Sequence, residues 1–174
     1  MKEIVPHEAV QAATHGVIRT MAAMEAKCVR ICTPASCEDE EIPAGVSIIM
    51  KPPGRTVGFM ALSTSRRLAA GLIGAVTGSH PDLLTDDQVS EGMAEILNMI
   101  AGDSKNRLAG TPYHFRFALP RPCSNFDLRR MRQATEPAVA LLFRIRRQPL
   151  VVITAIRPPR MGPFCPSPKG GAPD

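Results

Sequence analysis

The chain has 174 residues, 44% of them apolar and 21% charged, with a formal net charge of +5. That length suits one compact domain, and no apolar run approaches the roughly 18 residues that a membrane span needs. With no Trp, one Tyr and no nucleic-acid-binding motif, the basic excess reads as a solvated edge or a surface for an acidic partner, and it argues against a nucleic-acid track.

The start, Met1-Lys2-Glu3-Ile4-Val5-Pro6, lacks the pattern of a secretory signal, which places the expectation in the cytoplasm. From Pro6 to about Ala26, Val10, Ala13, Val17, Met21 and Met24 recur at helical spacing and predict a core-facing helix. Lys27 to Thr33 reads as a short strand, and Pro34 to Pro43 as an acidic loop carrying Glu38, Asp39, Glu40 and Glu41. Gly45 to Lys51 and Thr56 to Leu62 read as the two strands of a hairpin around Pro52-Pro53-Gly54. Thr64 or Ser65 then caps a helix with Leu68, Leu72, Ile73 and Val76 in its apolar stripe, and Gly78 ends it.

The clearest start signal is Thr85-Asp86-Asp87-Gln88, a T-x-x-Q capping box with acidic residues at the positive end of a helix that runs to about Leu108. Beyond it, Tyr113, Phe115, Phe117 and Leu119 alternate with His114, Arg116 and Ala118, the period of a half-buried strand, until Pro120 and Pro122 stop it. After a basic connection from Cys123 to Glu136, Ala138 to Ile145 and Leu150 to Ile156 make a closing hairpin through Arg146-Arg147-Gln148-Pro149. The predicted division is one domain over 1–157 and a disordered Pro/Gly-rich tail over 158–174. The fold class predicted is α+β, with helices packed on a largely antiparallel sheet.

Five cysteines, Cys28, Cys32, Cys37, Cys123 and Cys165, are odd in number and irregular in spacing, so reduced thiols are the simplest reading. With no Cys-x-x-Cys pair and no histidine beside them, a metal site is not expected, and the four histidines are scattered without ligand spacing.

On a wheel, Val89, Met93, Ile96, Leu97, Ile100, Ser104 and Leu108 gather on one side of the 89–108 helix, and Glu91, Glu95, Asn98 and Gly102 lie opposite, flanked by Asp87 and Lys105. The polar face is poorly chosen for helix stability. Glu91 and Glu95 are like charges four apart, Asn98 is a weak helix former, and Gly102 costs about 0.5–1 kcal/mol relative to alanine. Residues that weaken their own element, collected on its solvent side, are what a surface serving a partner would carry, although on the wheel alone an ordinary solvated face is the favoured reading.

The string Glu95-Ile96-Leu97-Asn98-Met99-Ile100-Ala101-Gly102 resembles the E-x-x-N-M-x-A-G helix of the CheX/CheC-type chemotaxis phosphatases. A hairpin with Gly58 in its second strand, Ser65 opening a helix that ends Val76-Thr77-Gly78, and the order of later strands extend that resemblance over roughly residues 5 to 157. Two features depart from the family pattern: Asp103 follows the glycine where asparagine is frequent, and only one E-x-x-N helix is present. Glu8 and Gln11 form a weak E-x-x-Q echo on the first helix that reads as chance or a relic.

The resemblance implies a CheX/CheC-like fold and hydrolysis of the aspartyl phosphate on a phosphorylated CheY-like response regulator. Glu95 and Asn98 would be catalytic, and Glu91, Gly102 and Lys105 would contact the partner. Phosphoryl transfer depends on positioning and electrostatics, and a carboxamide can align water without repelling the anionic phosphate. Asn98 suits that role, and the resemblance implies that Glu95 pairs with the receiver's lysine. No cofactor of its own is expected, since the receiver would supply Mg²⁺. Sheet edges would suit a homodimer, which the resemblance also implies. The rival reading is a non-enzymatic receiver-binding or flagellar adaptor of the same fold.

Overall fold

Residues 5–37, 45–51, 58–123 and 138–156 are described by the computed structural model. The acidic run at Glu38, the Pro52-Pro53-Gly54 turn, the basic connection after Cys123 and the tail fall outside them.

Among the described residues three helices pack on a six-stranded antiparallel sheet, which is the predicted fold class. In chain order the elements are α1 (Pro6–Ala22), β1 (Lys27–Cys32), β2 (Val46–Met50), β3 (Gly58–Thr64), α2 (Arg66–Thr77), α3 (Asp86–Arg107), β4 (Arg121–Pro122), β5 (Val139–Ile145) and β6 (Gln148–Ile156), and the spatial strand order is β1-β5-β6-β3-β2-β4. Both sheet faces are apolar, so the strands read as near-continuous hydrophobic runs. Ile48, Met60, Leu62, Leu141, Phe143 and Val152 meet the helices, while Ile49, Phe59, Ala61, Ala140, Leu142 and Ile153 build a second cluster on the far face.

α3 is held by α1, α2 and β2. Its start is fixed as the sequence predicts: the Gln88 N–H donates to Thr85 Oγ1 at 3.2 Å, and the Thr85 N–H donates to Gln88 Oε1 at 2.9 Å. Arg66, at the start of α2, adds a bond from Nε to Asp86 Oδ1 at 2.9 Å and one from its terminal nitrogen to the Leu84 carbonyl at 2.6 Å. The Ser65 hydroxyl accepts from the Leu68 N–H, and Gly78 closes α2 at a φ of 72°.

Several local expectations are corrected. The buried residues of α1 are Ala9, Val10, Ala13, Thr14, Ile18 and Ala22, whereas Met21 is 38% exposed and Met24 is buried beyond the helix end. Thr14 can be buried because its hydroxyl donates to the Val10 carbonyl at 2.8 Å. Val76 of α2 is 37% exposed. Tyr113 to Leu119 is not a strand, and Leu119 is 83% exposed. There the Ala118 N–H donates to the Lys51 carbonyl at 2.8 Å, but the ladder with β2 forms only at Arg121 and Pro122. Phe115 and Phe117 instead turn their rings onto the helix-side core, and Pro122 is tolerated because β4 is an edge.

Candidate functional site

The apolar side of α3 is buried as predicted: Val89, Met93, Ile96, Leu97, Ile100, Ser104 and Leu108 are each no more than 2% exposed. Ser104 is accommodated by donating its hydroxyl to the Ile100 carbonyl at 2.7 Å. Burial of that stripe fixes the rotation of the helix, so its other side must face outward. Glu91, Glu95 and Gly102 are exposed, and Asn98 and Lys105 are half-buried. Side chains three apart on a helix are neighbours, about 5–6 Å between their β-carbons, so Glu95 and Asn98 are presented together.

Asn98, Gly102 and Lys105 line an open groove of about 330 Å³ whose other walls are Met50, Ala101, Phe115, Arg116 and Phe117. Glu91 and Glu95 stand outside that lining, on the same exposed helix face. A β-carbon built on Gly102 would meet nothing within 4 Å, so the glycine opens the groove floor to an approaching surface. Among the described residues neither the Glu95 carboxylate nor the Asn98 carboxamide is engaged in a hydrogen bond or ion pair, which leaves both available to a partner.

Asp103 belongs to a different side. Its carboxylate accepts from Arg107 Nε at 3.0 Å and lies 3.9 Å from where a β-carbon on Gly16 of α1 would sit. The side chain that departs from the family pattern therefore serves the α1 side of the helix and leaves the groove alone.

The far wall of the groove is what sequence reasoning missed. Phe115 and Phe117, ring centroids 4.5 Å apart, stand beside the groove with Arg116 between them in the chain. Their alternation was the available signal, but it is shared by any extended segment, paired or not. Lys105 and Arg116 give the groove two cationic side chains, a lining suited to an acidic surface.

Among the described residues no helix is long and apolar enough to cross a membrane, and no group of three or more His, Cys, Asp or Glu could hold a metal ion.

A model of the family described as chemotaxis phosphatase CheX matches residues 46–144. Of the solved structures, the CheX-CheY-BeF3-Mg²⁺ complex from Borrelia burgdorferi matches with a TM-score of 0.70 and 20% identity, covering 89% of this chain and 99% of that chain. A CheC-like superfamily protein from Shewanella sp. PV-4 gives 0.69 and 19%, over 90% of this chain and 99% of its own. Chemotaxis protein CheX from Vibrio vulnificus gives 0.68 and 21%, over 87% and 99%. At these identities the likeness is one of fold. No curated protein matches the chain.

Proposed function

The chain belongs to the CheX family of chemotaxis phosphatases, and from that premise we propose that it hydrolyses the aspartyl phosphate of a CheY-like receiver domain, using Asn98 and Glu95. The observation that carries this reading is the joint presentation of Glu95 and Asn98 on the outward face of α3, beside a groove that Gly102 keeps open. The Borrelia burgdorferi relative in complex with CheY, BeF3 and Mg²⁺ supports a receiver domain as the partner.

In this reading the Asn98 carboxamide enters the receiver's acidic pocket and holds a water in line with the bond from phosphorus to the aspartate oxygen. The water oxygen bonds to phosphorus as that bond breaks. Free aspartate and inorganic phosphate are the products, and the water's protons pass to phosphate and solvent. Because the carboxamide both donates and accepts hydrogen bonds while uncharged, it orients water without opposing the phosphoryl charge. The receiver brings the Mg²⁺ that neutralises the phosphoryl oxygens. Glu95, one turn away, pairs with the receiver's lysine and fixes the distance from Asn98 to phosphorus. Glu91, Gly102 and Lys105 complete the contact surface.

The test is phosphate release from purified phosphorylated receivers, with the wild-type chain and with Asn98→Ala. The expected outcome is acceleration by the wild type and a loss of about 100-fold in the variant, the scale of a misplaced reactant, with receiver affinity retained. A variant as fast as the wild type would reject the water-positioning role. Binding without acceleration by the wild type would assign the adaptor function instead.

A further inference from the structure

Cys28 and Cys32 are four residues apart on β1 and in a regular strand would share one face of the sheet. They do not. The register of β1 against β5 shifts between Cys28 and Arg30, so Cys28 packs against the helix-side core and Cys32 against the far-face cluster. A one-residue irregularity of this kind exchanges the faces of everything beyond it. Its consequence is local and chemical, because Cys37 also belongs to the far-face cluster, and the sulfurs of Cys32 and Cys37 lie 3.2 Å apart.

The residues between them hold that approach. Pro34–Ser36 form a single 3₁₀ turn whose geometry converges on one acceptor. The Thr33 carbonyl receives the Ser36 N–H at 3.0 Å, the Ser36 hydroxyl at 2.8 Å and the Cys37 thiol at 3.7 Å. Thr33 Oγ1 donates to Ser36 Oγ at 3.1 Å. Cys37 is 3% exposed, whereas Cys32 is half-buried, and both are thiols in the structure. An accessible thiol beside a buried second thiol, preorganised by a short rigid turn, is the arrangement of an attacking and a resolving cysteine.

We propose that Cys32 and Cys37 form a reversible redox modification site that closes to a disulfide by exchange with a low-molecular-weight disulfide. The Cys32 thiolate attacks one sulfur of the small disulfide, forming a mixed disulfide and releasing one small thiolate. The Cys37 thiolate then attacks the Cys32 sulfur and expels the second. The protein loses two protons and two electrons, and the small disulfide gains them as two thiols. Cys28 is excluded as the resolving group because the bulge places it on the other side of the sheet. The bond ties the Thr33–Cys37 turn to the end of the edge strand β1, and this site is independent of the phosphatase reading.

The experiment incubates the full chain with glutathione at graded ratios of disulfide to thiol, quenches with acid, alkylates and maps peptides by mass spectrometry. Cleavage after Arg30, with no lysine or arginine from Ile31 to Cys37, leaves both cysteines on one tryptic peptide. The expected product is that peptide lighter by two hydrogens, closed to alkylation and restored by a reducing agent. Closing so short a loop should also raise Tm by a few degrees. Cys28→Ser should close as the wild type does, Cys32→Ser should give no bridge, and Cys37→Ser should stop at a glutathione adduct on Cys32. A wild-type chain that stops at the adduct, or whose bridge joins Cys28, Cys123 or Cys165, overturns the proposal. If Cys37→Ser does not fold, Cys37→Ala takes its place, and the wild-type map alone still decides.

Discussion

Gly92 of α3 lies so close against Ile73 of α2 that a β-carbon there would meet the isoleucine's Cδ1 at 2.6 Å, Cγ1 at 2.8 Å and Cγ2 at 3.1 Å. Ten residues along the same helix, Gly102 faces open space. One glycine is required by packing; the other is not required by the fold at all, and both carry the same helix penalty.

Alanine substitution should separate the two. At Gly92 the gain in helix propensity is outweighed by displacement of Ile73, for a net loss of about 1 kcal/mol or more. At Gly102 nothing is displaced, so stability should rise by about 0.5–1 kcal/mol. Urea unfolding reads both as shifts in midpoint at constant slope. If the receiver's surface approaches α3 at Gly102, the more stable Gly102→Ala chain should bind it more weakly. Unchanged affinity would remove Gly102 from the contact.

Glu95→Gln keeps the shape of the side chain and removes its charge. Exposed and four residues from Glu91, the variant should fold as well as the wild type or better by a few tenths of a kcal/mol, since a like-charge pair is relieved. Its Kd for a CheY-like receiver should rise about tenfold or more, with the difference shrinking as salt is added. Titration of receiver into each chain at two ionic strengths measures this. Equal affinities at low salt would reject the anchoring role.

The face of α3 was legible because a helix with a complete apolar stripe and a capping box leaves only one side for the solvent, and the sequence carries both. The groove was not. Phe115 and Phe117 pack onto the helix-side core from a segment that forms no strand ladder, and nothing in a two-residue alternation says whether the backbone beside it joins one. In α1, Thr14 is a buried polar residue that satisfies itself on its own backbone, so polarity pointed away from a position that the core in fact uses. The juxtaposition of Cys32 and Cys37 depends on a register shift in β1, which only pairing with β5 reveals.

The β5–β6 hairpin turns on Arg146 and Arg147, both at positive φ, 48° and 69°. A two-residue turn of this hand favours Asn-Gly, and non-glycine residues held there cost about 1 kcal/mol each. Arg146→Asn combined with Arg147→Gly should therefore stabilise the chain by about 1–2 kcal/mol, read from the midpoint of chemical unfolding. The hairpin tip does not line the α3 groove, so receiver dephosphorylation should be unchanged. A loss of stability would mean that the arginines contribute more than the turn penalises.

Burial pushes the Cys28 thiol above its ordinary value of 9.0, outweighing an opposing backbone hydrogen bond at Arg30. Above that value the unfolded chain gives up this proton more readily than the folded one, so ionisation favours unfolding. The contribution is fully present below the ordinary thiol value and is lost as pH rises through the raised one. Cys28→Ala abolishes the effect. Stability curves from about pH 7 to pH 10.5 should therefore fall more steeply for the wild type than for the variant, with the two running parallel at the neutral end. Parallel curves across the alkaline range would show that the thiol ionises alike in both states, and hence that the helix-side core does not shield it.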